Sequence, residues 1–215
     1  MKSVIIVGAG GFGREVFQWA CDIWGPDSVK GFLSPNAQDL DGFKIDKPIL
    51  GSEESYTFDA DDRFLLAVGS PKLRRIISNK IASKGGTFIN LIHPAAQVSQ
   101  LAQIGNGNII CPFSLVSPNA FIGDFCVLNF YCSVAHDAQL GNYTVMSPYS
   151  TLNGHSKTGA EVFLGTGASL APKVFINSYS KISAGIALTR SLEEEYTFVP
   201  PSDVKVLKGM AKLFP

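Results

Sequence analysis

Two periods of apolar residues divide the chain. Up to about residue 92, short β-rich runs alternate with stretches of helical spacing, whereas from Val98 onward an apolar residue returns every sixth position. In the first part, Ser3 to Val7 reads as a strand and Gly8 to Gly13 as a turn. Arg14 to Trp24 reads as a helix, with Val16, Phe17, Ala20 and Ile23 on one face. Further strands are expected at Val29 to Leu33, Phe64 to Val68 and Phe88 to Ile92, with a helix from Lys72 to Lys84 that Gly85-Gly86 terminates. Strands alternating with helices predict a small parallel-sheet domain whose ligands sit at the carboxyl ends of its strands. Those ends are Gly8 to Gly13, Ser34 and Gly69-Ser70.

In the second part the inward column runs Val98, Ile104, Ile110, Val116, Ile122, Leu128, Val134, Leu140, Met146, Leu152, Thr158, Leu164, Leu170, Ile176, Ile182 and Leu188. All but Thr158 are aliphatic or Met, and the next residue is always small or Asn. One inward side chain in six predicts short strands joined by tight corners, three faces closing a coil of eighteen residues. Coils of this kind stack through backbone hydrogen bonds about 4.8 Å apart. A single coil cannot bury its apolar face, so stacking stabilises the whole and both ends need covers. His93-Pro94 lies at the entrance, and Leu192 to Pro215 is expected to cover the exit. The small column, including Gly105, Gly123, Gly141, Gly159 and Gly165, is expected to turn the corners. The domain boundary falls near His93, giving domains 1–92 and 93–215.

Composition narrows the function. Of 215 residues, 46% are hydrophobic, and 18 basic residues balance 18 acidic ones, which removes the electrostatic footprint of a nucleic-acid or anionic-membrane binder. No apolar run approaches the ~20 residues of a membrane helix. The start of the chain lacks the pattern of a secretory signal, since glycines interrupt the apolar stretch and Arg14-Glu15 follow. Cys21, Cys111, Cys126 and Cys132 show neither metal-type spacing nor disulfide density, so free thiols in a reducing cytoplasm are expected.

Two motifs carry chemistry. Gly8-Ala9-Gly10-Gly11-Phe12-Gly13 fits G-x-G-x-x-G between a strand and a helix. The acidic residue that a dinucleotide's ribose needs about 20 residues later is replaced by Leu33 and Ser34, which argues against NAD. The second motif is His136-Asp137 inside a hexad. An imidazole is suited to take a proton near neutral pH, and a neighbouring carboxylate orients it. Adjacent strand residues point to opposite faces, so a contact between these two requires a corner.

The hexads, together with Val4 to Val16, Gly31-Phe32-Leu33, Leu66-Ala67-Val68-Gly69, Leu91-Ile92-His93-Pro94, Val134 to Asp137 and the tail around Val199-Pro200-Pro201, resemble the hexapeptide-repeat sugar acetyltransferases of the sialic-acid O-acetyltransferase and bacillosamine-pathway N-acetyltransferase type. The resemblance implies a Rossmann-like α/β domain followed by a left-handed parallel β-helix. It also implies a cytoplasmic homotrimer with active sites between neighbouring solenoids, acting in bacterial surface glycan biosynthesis. Acetyl would pass from acetyl-CoA to an amine of a nucleotide-linked deoxy sugar, or to a sugar hydroxyl as the runner-up.

By the same resemblance His136 is the base, Asp137 its partner, and Gly154 offers an amide near the acetyl group. CoA is expected near Gly154, His155, Thr166 and Ala184, with Lys173 or Arg190 meeting phosphates. The acceptor is expected at Gly8, Gly10, Gly11, Phe12, Gly13, Ser34, Gly69 and Ser70. The chain departs from the family at Val145, where a second histidine is common. It departs again at Phe12, at Ser34-Pro35 in place of an acidic pair, and at Ser70 in place of Asn.

No metal is expected. Zinc-dependent carbonic anhydrase chemistry would want three protein ligands, and of His93, His136 and His155 the first lies at the entrance. A non-catalytic trimeric sugar-nucleotide-binding protein is the remaining alternative.

Overall fold

A computed structural model of the chain describes residues 3–195 and 198–199. Its first part is a four-stranded parallel sheet in the order β2-β1-β3-β4, with β1 at Ser3–Val7, β2 at Val29–Leu33, β3 at Asp62–Leu66 and β4 at Thr87–Phe88. Helix α1 spans Gly11–Trp24 and α2 spans Pro71–Ser83. Nearly every residue of β1, β2 and β3 is buried, as strands between two covering layers must be.

Three elements depart from the sequence expectation. Helix α1 starts at Gly11, so the end of the glycine motif is the first helical turn, with Gly10 as its N-cap. β3 begins two residues early at Asp62, a charged position that pattern alone assigns to a loop. That carboxylate is buried, and it accepts from Lys30 Nζ at 3.0 Å and Tyr56 Oη at 2.9 Å. The run expected as one strand at 88–92 divides: Phe88 closes the first sheet, and Leu91–Ile92 opens the solenoid.

From Leu91 the chain winds a parallel β-solenoid of about five turns. Its faces are sheets of seven, six and five two-residue strands, which begin at Leu91–Ile92, Gln97–Val98 and Gln103–Ile104. Each strand pairs in parallel with the one eighteen residues on, except the last of the seven-stranded face, where Ile182 pairs with Val199 seventeen residues on; Ile110, Leu128, Met146, Leu164 and Ile182 form one inward column. The inward residues from Ile110 to Leu188 are buried, Cys126 and Cys132 among them.

The corners are not where the small residues are. At every sixth position from Gly107 to Gly185 the backbone is left-handed, and eleven of these residues are not glycine: Phe113, Asn119, Phe125, Tyr131, Asp137, Tyr143, Tyr149, His155, Glu161, Lys173 and Tyr179, with φ between 55° and 66°. The small column lies two residues earlier and is small for another reason. A Cβ on Gly141, for example, would run into the carbonyl of Gly159 on the next rung.

Between the two kinds of residue runs a third column, one before each corner, whose amide has no ladder partner. Pro112, Pro118, Pro148 and Pro172 occupy it, because proline lacks only an N–H that makes no rung-to-rung backbone bond here, although at Asn106, Asp124, Phe130, Ala160 and Ser178 it donates to a side-chain oxygen.

The halves share a core. Leu91, Ile109 and Cys111 of the solenoid pack with β1, α1 and β2. Fully buried Arg74 on α2 donates from Nε to the carbonyl of corner residue Phe125 at 2.7 Å, and from Nη1 to the carbonyls of Leu66 and Val68. Burial lowers its guanidinium pKa to about 10. At the far end Leu192 bridges to Ile176 and packs on the solenoid core. The remainder of the expected exit cover, residues 196–197 and 200–215, including Pro200-Pro201, lies outside the described residues.

Candidate active site

The edge that joins the six-stranded face to the five-stranded face carries corners Asn119, Asp137, His155 and Lys173, one per rung. The column immediately before them reads Pro118, His136, Gly154 and Pro172. The two residues of this edge that are not proline are the expected base and the expected oxyanion donor.

The corner supplies the contact that a straight strand would forbid. Asp137, at φ 60°, turns its carboxylate back so that Oδ2 lies 2.9 Å from His136 Nδ1. His155 follows one rung on, its amide donating to the His136 carbonyl at 3.1 Å and its Nε2 lying 3.8 Å from the same Asp137 oxygen. The two imidazoles meet edge to face, with centroids 5.2 Å apart. Asn119 Nδ2 donates to Asp137 Oδ1 at 3.3 Å from the rung before. The hydrogen bond from His136 holds the Asp137 carboxyl below the usual carboxylate range, and Asn119 and His155 act in the same direction against a desolvation penalty. Asp137 therefore stays ionised at neutral pH, able to fix the imidazole tautomer and stabilise an imidazolium.

Gly154 completes the group. A Cβ there would lie 2.7 Å from Cε1 and Nε2 of His136, so only glycine leaves the ring its place. Its amide donates to no other described residue. A free N–H thus lies beside the imidazole, where an oxyanion donor has to be.

The other expected cosubstrate residues are not brought to this edge. Thr166 and Ala184 precede corners Gly167 and Gly185, on the edge that joins the seven-stranded face to the six-stranded one. That edge also carries a stacked, exposed ladder of Phe113, Tyr131 and Tyr149, with ring centroids 5.1 Å apart. Lys173 is the rung after His155, its amide donating to the Gly154 carbonyl, and Arg190 lies beyond the last corner. His93 is remote from these chemistries: its Nδ1 accepts from the Ala95 amide in the first rung. Buried Cys126 and Cys132 have their thiol pKa values pushed up by burial to about 12 and about 11, which suits packing and not nucleophilic attack.

The expected acceptor residues all gather at the carboxyl edge of the first sheet. Gly8 leaves β1 at φ 107°, with its amide on the Leu33 carbonyl. Gly13 packs so closely on the Gly8 carbonyl that no side chain fits, while Gly10 and Gly69 face open space. Gly11 starts α1, and Phe12 packs edge-on to Trp19. Ser70 caps α2 by accepting from the Leu73 amide. Beside it a cleft of about 330 Å³ opens between α2 and the solenoid, reaching Lys72, Phe163 and Lys181.

Buried Ser34 donates to Asp39, which also accepts from Asn36 at 2.8 Å, so a carboxylate stands at the end of β2 five residues later than the expected acidic pair. Sequence reasoning missed Asp39, Asn119 and the Arg14 guanidinium 3.6 Å above the Phe43 ring. For Asn119 the available signal was its place one coil before Asp137.

Comparison with known proteins agrees with both halves. Residues 3–81 match the family described as the PglD N-terminal domain. GDP-perosamine N-acetyltransferase of Escherichia coli O157:H7 is 29% identical over 169 residues, 76% of this chain and 75% of that one. Among solved structures, the acetyltransferase domain of PglB from Neisseria gonorrhoeae FA1090 in complex with acetyl coenzyme A is 27% identical with a TM-score of 0.81, over 91% of this chain and 93% of that one. PerB from Caulobacter crescentus, in complex with CoA and GDP-perosamine, is 25% identical with a TM-score of 0.80, over 96% and 98% of the two chains. Residues 3–81 thus match the PglD N-terminal domain, and along nearly its whole length the chain shares the fold of these acetyltransferase structures.

Proposed function

We propose that the protein transfers the acetyl group of acetyl-CoA to the amino group of a nucleotide-linked amino-deoxy sugar. The observation that carries the reading is the non-proline pair on the catalytic edge: His136, oriented through Nδ1 by Asp137, beside the unengaged amide of Gly154. With Nδ1 engaged, Nε2 is the nitrogen left to accept a proton. As the sugar amine attacks the thioester carbonyl, His136 Nε2 takes its proton and Asp137 stabilises the imidazolium. The Gly154 N–H donates to the tetrahedral oxyanion. Collapse breaks the C–S bond, and the proton held by His136 passes to the leaving thiolate, so amide and free CoA thiol are the products.

The carboxyl edge of the first sheet, from Gly8 to Gly13 with Ser34, Gly69 and Ser70, is our site for the nucleotide-linked acceptor. In one protomer Gly154 and His155 lie on a different edge from Thr166 and Ala184. Both pairs reach one cosubstrate where the catalytic edge of one solenoid meets the second edge of a neighbour, which supports a homotrimer with sites between protomers. Acetyl-CoA as donor and four unpaired cysteines favour the cytoplasm.

The test offers acetyl-CoA with 4-amino nucleotide sugars and with plain hydroxyl sugars, scoring product mass. Acetylated amine is the expected product. Acetylation of hydroxyl acceptors alone would replace the substrate class, and no acetylated product with any acceptor would leave a binding protein.

A further inference from the structure

We propose that His136, Asp137 and His155 form a binding site for a divalent transition-metal ion, zinc foremost, whose occupation switches acetyl transfer off. Binding stands on geometry alone, while the switching rests on the function proposed above. One donor atom from each of the three side chains can be chosen so that all lie within 4.8 Å of one another. Asp137 Oδ2 is 2.9 Å from His136 Nδ1 and 3.8 Å from His155 Nε2. A tetrahedral zinc with bonds of about 2.0 Å holds its ligand atoms roughly 3.3 Å apart, so small side-chain rotations suffice. Two imidazoles and one carboxylate are a borderline-soft set that suits zinc, cobalt or nickel and leaves a position for water.

The backbone holds the donors ready. Asp137 sits in a left-handed corner with its amide on the Pro118 carbonyl, and the His155 amide is bonded to the His136 carbonyl one rung below. Asn119 engages the other carboxylate oxygen and leaves Oδ2 for the ion, the supporting contact that ligating carboxylates commonly have. All three side chains reach solvent, whereas Cys111, Cys126 and Cys132 are buried, and the half-buried Cys21 belongs to α1 of the first domain. An ion on Nδ1 takes that nitrogen's lone pair, so the ring proton that Nδ1 shared with Asp137 moves to Nε2, which has no lone pair left to accept another. Nε2 is then no base.

The experiment uses the chelator-treated, buffer-exchanged full chain and cobalt(II) as a visible probe. One cobalt per chain with the intense bands of four- or five-coordination, displaced by zinc, is expected. His155→Ala and His155→Gln should each weaken zinc binding at least ~10-fold, while His93→Ala leaves it unchanged; folding of each variant is checked by thermal melting. Zinc should abolish acetylated product by mass, and EDTA should restore it. A hexa-aquo cobalt spectrum, or zinc binding indifferent to both His155 variants, overturns the site. Tight zinc binding with transfer undiminished overturns the switch alone. An enzyme without any transfer activity would remove the proposed function while the binding result still decides the site.

Discussion

The two halves of the molecule make their unusual backbone conformations in opposite ways. At the carboxyl edge of the first sheet, geometry depends on residue identity: Gly8 leaves β1 at φ 107°, and Gly13 lies against its carbonyl. In the solenoid a left-handed corner recurs every six residues whatever the side chain, on Phe, Asn, Tyr, Asp, His, Glu and Lys alike. Each such residue costs about 1–2 kcal/mol of intrinsic preference. Rung-to-rung hydrogen bonds on either side, such as Asp137 N to Pro118 O and His155 N to His136 O, impose it nonetheless. Stacking thus fixes the solenoid backbone and leaves the corner side chains to chemistry, whereas at the glycine turn fold and binding draw on the same residues.

The largest effect should come from the corner edge and leave the fold intact. His136→Ala is expected to lower turnover by ~10²–10⁴ with the thermal midpoint unchanged. Product mass and a melting curve on the same preparation check it. A variant that melts early would mean that the catalytic edge also holds the solenoid together, and the contrast would fail there.

The glycine turn should behave oppositely. Gly13→Ala drives a methyl into the Gly8 carbonyl beneath a fully packed helix and should cost about 3 kcal/mol, seen as a lower urea midpoint. Gly154→Ala also crowds a neighbour, but that neighbour is the exposed imidazole of His136, which can swing aside. Its urea midpoint should stay put while turnover drops about 10², the cost of a misplaced base. Equal destabilisation by the two substitutions would erase the distinction.

How much of this was legible in the sequence follows the same division. The hexads announce themselves because an inward residue every six positions has no other architecture, and His136-Asp137 stands out inside them. The corners were read two residues early, since a column of Gly, Ser and Asn looks like turn chemistry, although at Gly141 smallness answers to the rung above. Placing the corner at Asp137 explains how neighbours in sequence can touch. His155 follows His136 by one coil and one residue, yet only the corner geometry brings it to the same carboxylate. Gly154 and Thr166 lie on different edges of one solenoid for a countable reason: twelve residues are two faces. In the first half Asp62 hid the start of β3, because a buried charge is intelligible only with Lys30 and Tyr56 in view.

The smallest effect is the sharpest test of whether stacking alone enforces the corners. Lys173 holds φ 66° on the catalytic edge, one rung beyond His155. Lys173→Gly removes a left-handed penalty of about 1–2 kcal/mol but adds roughly 0.5–1 kcal/mol of unfolded-chain entropy. The net should be a gain near 0.5 kcal/mol, raising the thermal midpoint by about 1–2 °C. Gly167→Lys, at a corner of the second edge where an added Cβ would make only an ordinary contact with the Gly185 nitrogen at 4.0 Å, should shift the midpoint the other way by a similar amount. Opposite signs from the two substitutions mean that corner side chains are carried by the fold. A loss from Lys173→Gly would mean that the lysine itself stabilises the edge, and the corners would then be chosen for stability as well as for chemistry.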